Sequence, residues 1–230
     1  MIAIVPARGG SKGLVGKNVL PLAGKPLIHY TLECAIASNA ISRVIVTTDS
    51  EEIANAARQI KGVEVPFLRP PELASDTAQA ADVYLHAADW LRHNEKTFDA
   101  EVCGLLPTAP LRAPEDVDAC IDLYMERSAH VVLGVSLAKP ASWQQTMDGN
   151  GQLRPIPQIA NSIDNRQSFG NAVAPNGSVY VLNVDALRAT RTYFGARTFG
   201  YLMPADRSID IDGEDDLRIA DALLKAKDRS

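Results

Sequence analysis

Thirteen residues near the start of the chain, Pro6-Ala7-Arg8-Gly9-Gly10-Ser11-Lys12-Gly13-Leu14-Val15-Gly16-Lys17-Asn18, hold four glycines, three cations and a serine. Glycines let backbone N–H groups approach phosphate oxygens without a Cβ in the way, and cations offset phosphate charge. The run follows a short apolar stretch, Ile2 to Val5, that reads as a buried strand. In open α/β sheets the carboxyl ends of strands are where ligands bind, so the position suits a nucleotide. The same composition would also serve a solvated loop with exposed lysines. It is not a P-loop, because Ser11 stands five before Gly16 and Asn18 follows Lys17, and Gly9-Gly10 does not make GxGxxG.

A second constellation lies near the other end, Ser208-Ile209-Asp210-Ile211-Asp212. In an extended conformation the alternation puts Asp210 and Asp212 on one side and Ile209 and Ile211 on the other. Two carboxylates with substrate phosphates and waters suit Mg²⁺. Equally, the pair can simply precede the last helix, whose Glu214, Asp215 and Asp216 complement its dipole. An EF-hand is excluded, since Gly213 directly follows the second aspartate.

Other chemistries find no support. His29, His86, His93 and His130 are scattered without metal-ligand spacing, and no Gly-x-Ser-x-Gly elbow occurs. Cys34, Cys103 and Cys120 are widely spaced among apolar neighbours and read as reduced, buried thiols. Trp90 and Trp143 read as core and flap packing.

The elements that must position these residues follow from hydrophobic periodicity. Leu27 to Ala37, after Pro26, puts Ile28, Leu32, Ala35 and Ile36 on one helical face. Val44 to Thr48 is a strand, and Asp49-Ser50-Glu51-Glu52 opens a helix to about Ile60. Val63 to Leu68 reads as a strand, Asp76 to Arg92 as a helix, Val102 to Leu106 as a strand and Pro114 onward as a helix, before a strand at Val131 to Leu137. This alternation predicts βαβ units, a mostly parallel sheet and helices on both faces. From Ala138 to Pro175 the texture is polar, with Gly149-Asn150-Gly151 as a hairpin turn. That stretch is expected to be an inserted flap used for subunit contact. Gly177 to Val184 and Phe199 to Met203 restore strands, and Asp215 to Lys225 is a final helix.

The chain has 230 residues, 46% hydrophobic and 22% charged, with a formal net charge of −5. It is expected to fold as a single domain, 1–230. The acidic balance argues against bulk nucleic-acid binding. The start has no positive n-region or long apolar h-region, and no run approaches a membrane span, so a cytoplasmic protein with no membrane contact is expected.

Six motifs in order carry a resemblance that covers essentially the whole chain. They are the glycine-rich loop with Lys17-Asn18 and Gly24-Lys25-Pro26-Leu27-Ile28, then Val46-Thr47-Thr48-Asp49-Ser50, then Arg69-Pro70-Pro71-Glu72-Leu73-Ala74-Ser75-Asp76-Thr77-Ala78. Pro107-Thr108-Ala109-Pro110-Leu111-Arg112, Pro175-Asn176-Gly177 and Ser208 to Asp212 complete the series. Together they resemble the acylneuraminate cytidylyltransferases, the CMP-sialic acid synthetases.

The resemblance implies a Rossmann-like α/β nucleotidyltransferase. Such an enzyme joins CTP and a free nine-carbon 2-keto sugar acid into a CMP-sugar, releasing pyrophosphate, with the anomeric hydroxyl attacking the α-phosphorus in line. It implies that Ala7, Arg8, Gly9, Gly10, Ser11, Lys12 and Asn18 hold the nucleotide, and that Arg8, Lys12 and Lys17 stabilise phosphate charge. The backbone near Thr77, Ala78 and Ala80 is expected to meet the base, with Arg69 either joining it or anchoring the loop through a salt bridge. Asp210 and Asp212 are expected to hold Mg²⁺, with Asp212 also counted as catalytic.

For the sugar, Thr108, Arg166, Gln167, Asn176 and Tyr180 stand at matched positions. The family commonly has Gln where Leu106 stands and Arg where Ala174 stands, so the substrate need not be N-acetylneuraminate; legionaminate-like or pseudaminate-like sugars fit as well. A homodimer is expected, the 138–175 flap reaching the neighbouring subunit's site. Two alternatives remain: a nucleotide-binding protein that has lost its chemistry, and the related octulosonate cytidylyltransferases, whose loop runs Pro-Ala-Arg-x-x-Ser-x-Arg-Leu where this chain has Lys12-Gly13.

Overall fold

The computed structural model describes residues 1–10, 13–95, 98–156 and 172–227. Its strands are β1 (Ile2–Pro6), β2 (Pro21–Leu22), β3 (Lys25–Pro26), β4 (Arg43–Thr47), β5 (Val63–Glu64), β6 (Glu101–Leu105) and β7 (Val131–Leu137). They continue with β8 (Gln145–Met147), β9 (Leu153–Pro155), β10 (Val173–Asn183) and β11 (Thr198–Leu202). The helices are α1 (Leu27–Ala37), α2 (Glu51–Arg58), α3 (Ala80–Asn94), α4 (Pro114–Glu126), α5 (Val184–Thr190) and α6 (Glu214–Lys227).

Seven strands form the main sheet in the order β11-β7-β10-β6-β1-β4-β5. Every pairing in it is parallel except those of β10, which runs antiparallel to both β6 and β7. The sheet is therefore mostly parallel, with one reversed strand in its middle. Ala3, Ile4 and Val5 are fully buried, as a continuously apolar run must be when helices cover both faces. One core cluster joins β1 and β4 to α1, α2 and α4; a second joins the sheet to α3 and α5. A third, Leu22, Leu27, Leu111, Ile211 and Ala220, lies under the turn between β2 and β3 and ties α6 to it. All three cysteines are free and buried.

Several elements begin or end where side-chain chemistry sets them. Ser50 caps α2 by accepting the Ile53 N–H at 3.4 Å. The strand expected at Val63 to Leu68 is only Val63–Glu64, because Pro66 has no N–H for the ladder; a single bridge, Thr48 to Leu68, follows. α3 starts at Ala80, not Asp76, since the Asp76 carboxylate pairs with Arg8 at 3.0 Å and caps no helix. Val184, expected to end a strand, opens α5, which Asn183 caps through the Ala186 N–H at 2.9 Å. Ile36, expected on the buried face of α1, is 45% exposed.

The hairpin expected around Gly149-Asn150-Gly151 is present as β8 and β9. The Asp148 carboxylate accepts the Asn150 and Gln152 N–H groups at 3.0 and 3.1 Å, and Gly151 takes a left-handed φ of +82°. Every residue of both strands is exposed, as is Trp143, so this tryptophan does not pack a core in the chain.

Candidate active site

The chain runs from β1 to β4 and β5 on one side of the sheet, then returns to place β6 on the other side of β1. This makes β1 and β6 a topological switch point, where the loops leaving the two strands part and open a crevice. Two cavities of about 310 and 320 Å³ meet there, both walled by Pro6, Arg8 and Leu106. The first is completed by the loop residues Gly13, Lys17 and Asn18 with Thr108 and Asp212. The second is completed by Arg69, Ser75, Asp76, Ala78 and Ala80. A larger cavity of about 510 Å³ lies at the opposite end of the strands beside Met1 and Arg43. None of the candidate site residues lines it, and its Arg43 is already held by Glu64 and Glu95.

The glycine-rich loop is anchored from both sides. The Gly9 N–H donates to the Asp49 carboxylate at 3.0 Å, and the Asn18 amide donates to the Arg8 carbonyl at 2.9 Å. Gly16, with φ +64°, turns the chain into Lys17–Val19. The Arg8 guanidinium sits between the cavities and pairs with Asp76. Beneath it Arg69 is buried, with Asp49 at 3.6 Å and no partner on Nε. Burial, and then the charge of Arg8, disfavour the Arg69 cation, while Asp49 favours it.

The aspartate pair closes the other wall. Ile211 is fully buried, and its N–H donates to the Thr108 carbonyl at 2.8 Å. Asp210 packs against Gly177, whose φ of +72° and missing Cβ make room for the carboxylate. One Asp210 oxygen is buried without a hydrogen-bond partner. Burial raises the Asp210 pKa, and Asp212 adds to this; the Thr108 hydroxyl and Lys17 pull it back. Asp212 is exposed and lines the first cavity, whereas Asp210 sits against Gly177 and does not, so the two carboxylates differ in environment. Lys17 joins the two segments: its ammonium donates to the Ile211 carbonyl at 2.6 Å and lies 3.4 Å from the Asp212 carboxylate. A methyl group on Gly13 would run into the Asp212 carbonyl. Loop and aspartates are thus built against each other across some 200 residues of sequence.

The remaining sugar-site residues are more dispersed. Thr108 faces the first cavity. Asn176 is buried and turned inward, its amide donating to Ser208 Oγ at 3.0 Å and accepting the Ser178 N–H at 3.1 Å. The Tyr180 ring lies tilted against that of Tyr193, with centroids 5.5 Å apart. Ser11, Lys12, Arg166 and Gln167 lie outside the described residues. Asp49 and Asp76, each bonded to the loop, were not singled out by residue type. Their signal is only that both sit inside motifs that end at this crevice.

The family model of the cytidylyltransferases matches residues 2–147. The chain belongs to the cytidylyltransferase family. It is 30% identical to the CMP-N,N'-diacetyllegionaminic acid synthase of Legionella pneumophila, over 98% of this chain and 96% of that protein. It is 35% identical to the N-acylneuraminate cytidylyltransferase of Escherichia coli over its full length, spanning about half (53%) of that relative. With the pseudaminic acid cytidylyltransferase of Campylobacter jejuni the identity is 27%, over 100% and 98% of the two chains. Among solved structures, a CMP:2-keto-3-deoxy-manno-octonic acid synthetase complexed with CTP superposes with a TM-score of 0.70 at 18% identity, over 98% and 99% of the two chains. A 4-diphosphocytidyl-2C-methyl-D-erythritol synthase does so at 0.70 and 13%, over 97% of each. These two likenesses establish the nucleotidyltransferase fold. The motifs of this cytidylyltransferase that lie beyond residue 147, Asn176-Gly177 and Asp210 to Asp212, meet the matched region at the crevice.

Proposed function

We propose that this cytidylyltransferase transfers CMP from CTP to the anomeric hydroxyl of a sialic-acid-like nonulosonate, releasing pyrophosphate. The observation that carries the reading is the pair of cavities joined at Arg8 and Leu106, one edged by Lys17, Thr108 and Asp212 and the other by Arg69, Ala78 and Ala80. The base and ribose enter the Arg69 side. The phosphates pass Arg8 and the backbone of Ala7, Gly9 and Gly10, with Ser11, Lys12 and Asn18 completing the cradle. The sugar acid enters over Leu106 and Thr108; Asn176, turned inward onto Ser178 and Ser208, holds the turn of β10 instead of meeting the sugar.

Attack on the α-phosphorus needs an aligned hydroxyl and a stabilised leaving pyrophosphate, so positioning and charge dominate the barrier. Arg8, Lys12 and Lys17 supply that charge. Asp210 and Asp212 suit a hard cation: one Asp210 oxygen has no hydrogen-bond partner, and the exposed Asp212 carboxylate lines the first cavity. Mg²⁺ commonly takes one or two carboxylates and leaves the rest of its shell to substrate phosphates and waters. When bound, Mg²⁺ would neutralise phosphate charge at the reacting centre.

Support for nonulosonates comes from three relatives whose names specify such sugars, two of them matched over nearly their whole length. The 138–175 flap, with Trp143, Met147 and Leu153 exposed, is suited to contact a second copy of a single-domain chain. No helix among the described residues is long and apolar enough to cross a membrane. The test is pyrophosphate release with Mg²⁺ and each nucleoside triphosphate against N-acetylneuraminate, legionaminate, pseudaminate and 3-deoxy-octulosonate. Release that requires CTP and one nonulosonate is expected. Release with the octulosonate alone, or CTP binding with no release on any sugar acid, overturns the reading.

A further inference from the structure

Among the described residues, three buried side chains carry full charges: Arg69, Arg112 and Asp116. Asp116 is matched by Arg207, whose guanidinium makes two hydrogen bonds of 2.8 Å to it, and Arg69 has Asp49. Arg112 is different. Its Nη1 donates to the Ser178 carbonyl at 2.5 Å and, at 3.4 Å each, to the Leu106 carbonyl and Ser178 Oγ; its Nη2 donates to Thr31 Oγ1 at 2.8 Å. These acceptors are neutral oxygens, and Nε has no partner. A buried cation held by neutral acceptors costs stability that an apolar side chain would not, so the placement calls for a return elsewhere.

The return is geometric. Leu106 and Ser178 are each within two residues of the seat of Asp210: Thr108 contacts that carboxyl from one side and Gly177 from the other. The Leu106 carbonyl is gripped twice, by Arg112 and by the Thr31 hydroxyl at 3.2 Å. Leu106 also walls both cavities. One planar fork in the core therefore sets the spacing between the loop that follows β6 and the turn of β10, with α1 as its backstop. Resting on the function proposed above, we infer that Arg112 is a positioning residue, holding the 106–108 turn against residues 176–178 so that Thr108, Gly177 and Asp210 keep the geometry the transfer requires.

Arg112→Lys and Arg112→Gln test this. Lysine keeps the charge but cannot reach two carbonyls and a hydroxyl with one ammonium. Both variants are expected to lose about tenfold to a hundredfold in kcat, the scale on which small misplacements of reacting groups act, while the KM for CTP stays within about threefold. In the same variants, amide exchange of residues 208–212 should quicken while that of β1 and β4 stays slow. Full kcat in Arg112→Lys would make the role one of charge and overturn the inference. So would wild-type kcat in Arg112→Gln, or faster exchange everywhere together with a lower melting temperature. If neither variant folds, Thr31→Val removes one arm of the grip; a few-fold loss of kcat with faster exchange at 208–212 supports the inference, and no change in either overturns it. Should the wild type release no pyrophosphate with any sugar acid, the proposed reaction fails, and the exchange measurement alone decides the role of Arg112.

Discussion

The crevice at the ends of β1 and β6 and the hairpin of β8 and β9 are built on opposite principles. At the crevice, segments separated by 40, 68 and 194 residues are locked by hydrogen bonds, from Gly9 to Asp49, from Arg8 to Asp76 and from Lys17 to Ile211. In the hairpin the ladder pairs residues no more than ten apart and every strand residue is exposed, Met147 by 70% and Leu153 by 64%. The crevice spends buried polar groups to fix a geometry, whereas the hairpin leaves apolar surface uncovered by its own chain. Precision belongs to the first; association through the second is the proposal to be tested.

The largest effect that sharpens this contrast is expected at Arg8. Arg8→Ala should lower kcat/KM for CTP by about 10²- to 10³-fold, as loss of a charge-stabilising donor does, with an unchanged melting temperature because the side chain is half-exposed. A loss below tenfold in pyrophosphate release would move the phosphates elsewhere.

Next comes a pair of glycines. Gly177→Ala puts a methyl against the Asp210 carboxyl at a left-handed φ and should cost about 1–2 kcal/mol from the backbone alone, with turnover falling as well. Gly149→Ala, in the hairpin turn with open space around it, should be neutral in the same urea titration. Equal costs would erase the distinction between the two regions.

The smallest intrinsic effect belongs to Leu153→Asp. Surface changes of this kind stay within about 0.5 kcal/mol, so melting of the isolated chain should barely move, while sedimentation shows a weaker dimer. An unchanged sedimentation profile would remove the hairpin from the subunit contact.

Local pattern made much of the fold legible. Leu27 to Ala37 and Val131 to Leu137 carry their limits in apolar spacing, a preceding proline and β-branched runs, and both match the observed elements. α5 was not legible, since its seven residues give too short a period and its cap is the last residue of a strand. The start of α3 was misplaced because Asp76, a good capping residue, is taken by Arg8 from 68 residues away. The same distinction holds at the site. Glycines, cations and paired aspartates announce themselves by type and spacing, and the structure brings the described ones to one crevice. Asp210 and Asp212 did not turn out equivalent, because the seat of Asp210 is made by Gly177 and Thr108. Arg112 had no signal beyond its motif, since its meaning lies in partners 66 and 81 residues distant.

The most direct measurement is on Asp210→Asn, comparing turnover with CTP and Mg²⁺ against melting in EDTA. Burial raises the Asp210 pKa, so the folded chain binds that proton more tightly than the unfolded chain does. The ionised carboxylate therefore costs stability above its pKa, and that cost fades as pH falls through it. If Asp210 is kept for transfer, Asp210→Asn loses about a hundredfold or more in turnover yet melts at or above the wild type at neutral pH, the advantage vanishing toward acid. A variant that retains turnover, or that loses it only by melting well below the wild type, would contradict the account.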